Sequence, residues 1–171
     1  MNKIYEQAFD RLIKHEGKYS NHKNDYGGET MYGWTEKRLK EIGYDRDIKD
    51  FSLKDAKRLY HKYYWLNPGI NQIKNRYIAI EVFEQGVNMG PGEAIKRLQK
   101  AYNLLTGDNI AEDGIIGAET LQAVNTYKYP NAIYNELNIL QGEKYNKLVK
   151  KDESQRTFLR GWIKRINIIK E

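Results

Sequence analysis

The amino-acid sequence predicts a mainly α protein with at most a small hairpin near residues 29–34. Apolar residues recur at helical spacing along most of the chain, and Ser, Thr or Pro stands where several of these segments begin. Glycine follows several of them, because it adopts the left-handed conformation that commonly ends a helix. Only 3 of the 171 residues are proline, and 40% are hydrophobic. This composition is typical of an ordered, helix-rich domain.

The predicted helices of the N-terminal part have clear boundary signals. The first helix stops at Gly17, the second covers residues 35–42 with a threonine as its N-cap, and the third begins after Ser52. Asp55 follows Ser52 by three residues, as in a capping box, and this helix runs to about Trp65. The apolar positions of the first helix are Ile4, Ala8, Phe9, Leu12 and Ile13.

The C-terminal part is predicted to be helical throughout, apart from one loop. Residues 77–88 form a mostly apolar segment, typical of a buried helix. Pro91 and Pro130 each open a helix, since proline suits the first helical turn, and residues 108–117 form the loop between them that precedes a short helix. One face of the last helix is predicted to lie toward the core. The residues of that face are Phe158, Trp162, Ile166 and Ile169.

Composition excludes several classes of function. There is no cysteine, and therefore no disulfide framework and no thiolate chemistry. No segment approaches the roughly 20 apolar residues that span a bilayer, and the first residues do not resemble a secretory signal. The net charge of +6 and the pI near 9.2 favour an anionic partner.

Residues 16–30 contain the best candidates for catalysis. Glu16 follows the first helix, where the negative end of the helix dipole and partial burial would raise the pKa of its carboxyl group. Asp25 lies on a polar loop, where it would stay ionised and activate a water molecule that Thr30 helps to hold. Two carboxyl groups in opposite protonation states are typical of glycoside hydrolysis. On the residues alone, the alternative is a solvated helix end followed by an ordinary loop.

Short motifs cover nearly the whole chain in a consistent order. They are His15-Glu16-Gly17, Tyr19-Ser20-Asn21, Asp25, Gly27-Gly28, Thr30, Asp55-Ala56-Lys57, Tyr60, Tyr64-Trp65, Val82-Phe83-Glu84, Gly86 to Gly90, Ala94 to Gln99, Asp113 to Gly117, Thr120, Phe158, Gly161-Trp162 and Arg165. In these motifs the sequence resembles glycoside hydrolase family 108, whose members are N-acetylmuramidases that cleave the glycan strand of peptidoglycan. The resemblance implies a lysozyme-like fold with Glu16 as general acid. The similar spacing of phage-type lysozymes implies a triad of Glu16, Asp25 and Thr30 and an inverting mechanism.

The resemblance also implies two regions, a catalytic one at 1–75 and a peptidoglycan-binding one at 76–171 packed against it. The expected protein is a monomeric phage or prophage endolysin with no cofactor, no metal and no nucleic-acid partner. Without a recognisable signal peptide, it would be made in the host cytoplasm and reach the wall through a holin or a secretion system. The residues expected to contact the glycan are Tyr19, Asn21, Tyr32 and Trp34. The departures from the family pattern are Lys18, Lys23, Tyr26 and Met31.

Parts of the sequence suggest three other functions. His15, His22 and His61 raise the possibility of a zinc amidase, but they lack the spacing of a zinc site and no cysteine joins them. A non-catalytic wall-binding or secretion-helper protein of the same fold would retain binding alone, and the presence of all three triad residues argues against it. A basic nucleic-acid-binding domain is the third, although no recognised motif of that class is present.

The segment Asp113-Gly114-Ile115-Ile116-Gly117 resembles a motif of peptidoglycan-binding modules. Its glycines permit positive φ angles, and its isoleucines could hold the turn against a core. A structural role and a direct contact with the ligand are both open at this point.

Overall fold

Helices form most of the described structure, and strands are confined to one small sheet. The computed structural model describes residues 2–15, 19–20 and 30–169, with 15, 19 and 20 described by their backbone only. Two compact units divide the chain, Met1–Leu66 and Asn67–Glu171. The predicted mainly α class is confirmed. The predicted boundary at 75/76 lies nine residues beyond the division between these units.

The first unit begins with α1, Lys3–His15. The Asn2 side chain caps it, with Oδ1 accepting a hydrogen bond from the Tyr5 backbone N at 2.8 Å. One face of the helix is apolar, as expected for a helix that packs on a core. The buried residues of that face are Tyr5, Ala8, Phe9 and Leu12.

A three-stranded antiparallel sheet follows, made of β1 Tyr19–Ser20, β2 Thr30–Met31 and β3 Trp34–Thr35 in that spatial order. The predicted hairpin is confirmed as β2 and β3, and β1 adds a strand that the sequence did not indicate. The hairpin turn consists of Tyr32 and Gly33, with φ angles of 50° and 79°. Positive φ at both central residues defines a type I′ turn, whose twist matches that of the flanking strands.

The remaining helices of this unit are α2 Glu36–Glu41, a 3₁₀ turn Ile48–Asp50, α3 Leu53–Tyr60 and a π-helix His61–Leu66. Both predicted N-caps are confirmed. Thr35 Oγ1 accepts a hydrogen bond from the Arg38 backbone N at 3.1 Å. Ser52 and Asp55 form a full capping box, in which each side chain bonds the other residue's backbone N–H.

The second unit contains five helices in its described residues, α4 Arg76–Met89, α5 Pro91–Thr106, α6 Ala118–Thr126, α7 Pro130–Lys151 and α8 Arg156–Ile163, with 3₁₀ turns at Ile70–Gln72 and Glu153–Gln155. Pro91 and Pro130 occupy first turns, as predicted. The prediction for the last helix is wrong in part, because α8 ends at Ile163 and buries none of its residues. None of the helices in the described part of the chain has the length and apolarity needed to cross a membrane.

A buried polar network joins the three central helices of this unit. Gln85 of α4 is fully buried, and its Nε2 donates to Glu81 Oε1 at 3.0 Å and to the Leu137 carbonyl of α7 at 3.1 Å. Arg97 of α5 donates to Gln85 Oε1 at 3.3 Å. Such a network specifies one arrangement of the helices, since each buried polar group needs its partner.

Candidate active site

The structure describes some of the predicted site residues and not others. Glu16, Asn21 and Asp25 lie outside the described residues, and for Tyr19 only the backbone is described. Thr30 and Tyr32 are partly exposed, and Trp34 is buried. The assignment of roles to these residues therefore stays a prediction, and the structure supplies the frame around them.

The sheet brackets the segment that carries Asp25. Ser20 of β1 and Thr30 of β2 are cross-strand partners, so the chain leaves the sheet at 20 and returns to it at the paired position. Thr30 also pairs with Thr35 of β3, which makes β2 the central strand. Pairing on both sides holds the Thr30 backbone in place, and the sheet thus fixes Ser20 and Thr30 opposite each other.

The turn beside Thr30 has a strained residue. Tyr32 has a φ of 50° and is the non-glycine residue with positive φ in the described part of the chain. A bulky side chain in this region costs of order 1–3 kcal/mol and persists only where the surroundings hold it. The buried Tyr60 supplies such support, since its hydroxyl donates to the Tyr32 carbonyl at 3.1 Å. Strain of this kind tends to occur at functional positions.

An aromatic cluster lies behind the hairpin. The Trp34 ring packs against Tyr60, Tyr64 and Tyr63, with centroids 5.2, 5.8 and 6.3 Å away. Trp34 is only 2% exposed, and no described residue accepts a hydrogen bond from its Nε1. This burial does not fit the predicted role of Trp34 as an open stacking face for a sugar. In the structure its ring anchors β3 to the α3 and π-helix segment.

The N-terminal half of α1, the helix that precedes Glu16, is held by the same segment. The Tyr5 ring meets His61 edge-on at a centroid distance of 4.5 Å and packs on Trp65 at 5.6 Å. Burial raises the pKa of the Tyr5 hydroxyl, which donates to the Lys57 carbonyl. Burial also lowers the pKa of His61. His61 therefore has a packing role against α1, and an ion pair of Lys57 with Glu6 adds a second link.

Sequence reasoning missed the contribution of Tyr60 and of the π-helix. The signal available was the spacing of Tyr60 and Tyr64, which places both on one helical face. A π-helix can only be seen in a structure, and such segments are frequent near functional sites because they redirect side chains.

The Asp113–Gly117 motif of the second unit has a structural role in the described chain. Gln99 of α5 is 1% exposed, and its Nε2 donates to Asp113 Oδ1 at 2.9 Å and to the Ile115 carbonyl at 3.0 Å. Its Oε1 accepts from the Gly114 backbone N at 2.9 Å. The hydrogen bond from Gln99 lowers the pKa of Asp113. The buried carboxamide of Gln99 therefore bonds the turn through both its amide nitrogen and its oxygen.

The mainly α architecture, with a small sheet beside the first helix, places the protein in the lysozyme-like class. Residues 9–90 match the model of the family Glycosyl hydrolase 108, and residues 93–167 match that of a Predicted Peptidoglycan domain. The chain thus carries a glycosyl hydrolase 108 domain followed by a peptidoglycan domain. These domains make it a glycosidase whose function is the hydrolysis and binding of peptidoglycan.

A solved structure supports the same assignment. The chain is similar to Brucella abortus SagA, with a TM-score of 0.75 and 26% sequence identity over 95% of this chain and 88% of that one. No match was found among curated proteins.

Proposed function

We propose that the protein is an N-acetylmuramidase that hydrolyses the β-1,4 bond between N-acetylmuramic acid and N-acetylglucosamine, with Glu16 as general acid. The observation that carries the proposal is the cross-strand pair of Ser20 and Thr30, which brackets the segment containing Asp25. Glu16 directly follows α1 in the chain, and Tyr5 and Glu6 anchor the first turns of that helix.

Chain length limits how far Glu16 can lie from the strand that carries Thr30. Glu16 precedes Tyr19 by three residues, and an extended chain spans at most about 3.6 Å per residue, or roughly 11 Å in total. Tyr19 pairs with Met31, the neighbour of Thr30. The proposed acid is therefore tethered close to the strand that carries Thr30. This tether supports a shared site for the two residues.

The proposed chemistry divides the work between two carboxyl groups. Glu16 protonates the glycosidic oxygen as the bond breaks, and Asp25 removes a proton from the water that attacks the opposite face of the sugar. The Thr30 hydroxyl helps to position that water. This is an inverting mechanism, which leaves room for water with carboxyl groups about 6.5–9.5 Å apart. A retaining enzyme would hold them at about 5–5.5 Å.

Mass spectrometry of purified peptidoglycan digested by the protein tests the proposal. Hydrolysed products that carry N-acetylmuramic acid at a new reducing end are expected. Freed stem peptides would instead identify an amidase, and products lacking the added water would identify a non-hydrolytic cleavage. NMR of the first-formed anomer tests the mechanism, since an inverting enzyme releases the α-anomer from a β-linked substrate.

We also propose that the protein is a monomeric endolysin of phage or prophage origin, released to the wall by a holin or a secretion system. Support comes from the family resemblance and from the order of the domains, in which a glycosyl hydrolase domain is followed by a peptidoglycan domain. Expression in a host with an inducible holin is expected to lyse the cells only after induction. Lysis at the same rate without the holin would contradict this route.

Replacement of Tyr32 by asparagine is expected to raise stability and lower activity. Asn-Gly is the preferred pair for a type I′ turn, so Tyr32→Asn relieves the strain at φ 50° and should stabilise the first unit by about 1 kcal/mol. If Tyr32 contacts the glycan as predicted, hydrolysis falls in the same variant. Thermal denaturation and release of reducing ends measure the two effects. A stabilised variant with full activity would remove Tyr32 from the proposed substrate contacts.

A further inference from the structure

The positive charge of the chain is concentrated at its C-terminal end. Residues 144–165 contain eight lysines and arginines and two acidic residues, a net charge of +6 that equals the net charge of the whole chain. The rest of the sequence is therefore neutral in sum. This stretch comprises the end of α7 and all of α8, so an anionic partner is attracted most strongly to this end of the second unit.

Helix α8 presents its charges as a row. Arg156, Arg160 and Lys164, the last of which caps the C-terminal end of α8, stand four residues apart and are exposed, and we call them the cationic row. Arg156 pairs with the exposed Glu153 at 3.5 Å. Arg160 and Lys164 form no ion pair with any acidic residue in the described part of the chain. Two cations of the row are thus available for a partner.

Three aromatic rings lead from the interior to the surface beside this row. The buried Tyr145 of α7 stacks on Trp162 at a centroid distance of 5.2 Å, with 28° between the ring planes. Trp162 in turn stacks on Phe158 at 6.1 Å and 23°. Phe158 is 55% exposed, which is unusual for a phenylalanine in a stacked group. We call Tyr145, Trp162 and Phe158 the ring ladder.

A glycine keeps the approach to the outer ring open. Gly161 lies within α8, where glycine costs roughly 0.5–1 kcal/mol relative to alanine. A Cβ atom placed there would meet no atom within 4 Å, so packing does not require a glycine at this position. On the helix surface Gly161 is about 60° from Phe158 and lies between it and Lys164. The missing side chain leaves a notch between the ring ladder and the cationic row.

The rest of the unit holds this surface in place. Asn135 of α7 bonds the backbone of Ile169 twice, donating to its O at 2.9 Å and accepting from its N at 2.8 Å. Asn138 accepts from the Asn167 backbone N at 2.8 Å, and Arg165 donates to Asn88 of α4. The segment that follows α8 is therefore hydrogen-bonded to both α7 and α4. These bonds give a ligand a preorganised surface.

We propose that the ring ladder, the notch and the cationic row form a binding surface for the peptidoglycan strand. The exposed Phe158 ring stacks on the apolar face of a sugar ring, and Arg160 and Lys164 pair with carboxylates of the stem peptides. The choice of ligand rests on the proposed function. A lipid surface fits less well, because the apolar face of α8 between Phe158 and Ile163 packs on α7 through Trp162, which leaves only the two edges of that face exposed.

Sedimentation of the full chain with purified cell-wall sacculi tests the proposal. Phe158→Ala is expected to weaken binding at least about fivefold, as for a residue that contributes a kilocalorie or more to an interface. Gly161→Gln fills the notch and is expected to weaken binding while the melting temperature is unchanged or higher. Both variants should hydrolyse short soluble glycan fragments at the wild-type rate, which separates wall binding from catalysis.

Matched controls make the outcome specific. Tyr129→Ala removes another exposed aromatic ring of the same unit, 53% exposed, and should bind sacculi like the wild type. Lys164→Glu should weaken binding and reduce its salt dependence more than Lys100→Glu, which makes the same charge change at an exposed position on α5.

Unchanged sedimentation of Phe158→Ala overturns the proposal. So does a Phe158 dependence found with anionic vesicles or DNA but not with sacculi. A third outcome separates the two proposals. If the wild type releases no reducing ends but Phe158→Ala still weakens binding to sacculi, the muramidase assignment is overturned and the proposed binding surface is supported.

Discussion

Replacement of Glu16 by glutamine is expected to reduce hydrolysis of peptidoglycan by at least about 100-fold. A positioned general acid contributes roughly 10²–10⁴ to the rate, and glutamine has a similar shape but no proton to give to the leaving oxygen. Release of reducing ends from purified peptidoglycan measures the effect. Thermal stability should be nearly unchanged, as should sedimentation with sacculi, because the substitution is isosteric and the proposed wall-binding surface lies in the other unit.

Glu29→Gln is the matched control. It removes a carboxylate from the same stretch of sequence, next to Thr30, and we expect activity within about twofold of the wild type. Asp25→Asn should impair hydrolysis as well, since the proposed base would lose its charge. A Glu16→Gln variant with full lytic activity would refute the assignment of the acid. Equal losses in Glu16→Gln and Glu29→Gln would point to a general effect of charge on this segment.

Replacement of Gly114 by alanine is expected to destabilise the second unit strongly. Gly114 has a φ of 80°, and a Cβ atom there would lie 2.8 Å from the Gly92 carbonyl oxygen. The left-handed conformation alone costs an alanine about 1–3 kcal/mol, and the contact adds to this, because a backbone carbonyl in the first turn of α5 cannot move aside easily. Calorimetric unfolding measures the loss.

Gly117→Ala provides the comparison within the same motif. Gly117 has a φ of −94°, and a Cβ atom would meet nothing within 4 Å. Gly117 is the N-cap of α6, where alanine is less favourable than glycine, so the free energy of unfolding of Gly117→Ala should fall by no more than about 1 kcal/mol. This contrast distinguishes the two roles left open for the Asp113–Gly117 motif. If both alanine variants kept full stability and lost wall binding to the same extent, the motif would be a ligand contact rather than a turn bonded by Gln99.

Helix boundaries were the features best predicted from sequence. Thr35, Ser52, Pro91 and Pro130 all mark helix starts as expected. These signals work because a cap bonds a backbone group only two or three residues away, and proline fixes its own φ angle. Strand β1 was not predicted, since a two-residue strand has no periodicity to detect.

The last helix shows where a periodic pattern fails. Phe158, Trp162, Ile166 and Ile169 were predicted to share one buried face, but α8 ends at Ile163. The following residues instead bond the side chains of Asn135 and Asn138. Those partners lie about 30 residues away in the chain, and α8 is consequently left with an exposed aromatic edge.

The candidate site was also predicted from sequence only in part. The identity of the proposed acid, base and hydroxyl came from residue chemistry and family resemblance, and Thr30 lies in the hairpin that was predicted. The burial of Trp34 was not foreseen, because it depends on Tyr60, Tyr63 and Tyr64 at the junction of α3 and the π-helix. Trp34 was a stacking candidate by its residue type, but in the folded protein it is buried and anchors β3.

The sequence by itself determined the helical class, the helix starts and the residues able to carry out acid-assisted hydrolysis. Each of these depends on side-chain chemistry or on bonds within a few residues of the chain. Only the tertiary structure decided which groups are anchors and which are accessible. The hydroxyl of Tyr60 holds the Tyr32 turn from 28 residues away, and Gln99 bonds a turn 15 residues further along. Such contacts form only when folding brings distant segments together, because burial makes each polar group depend on the particular partner it meets there.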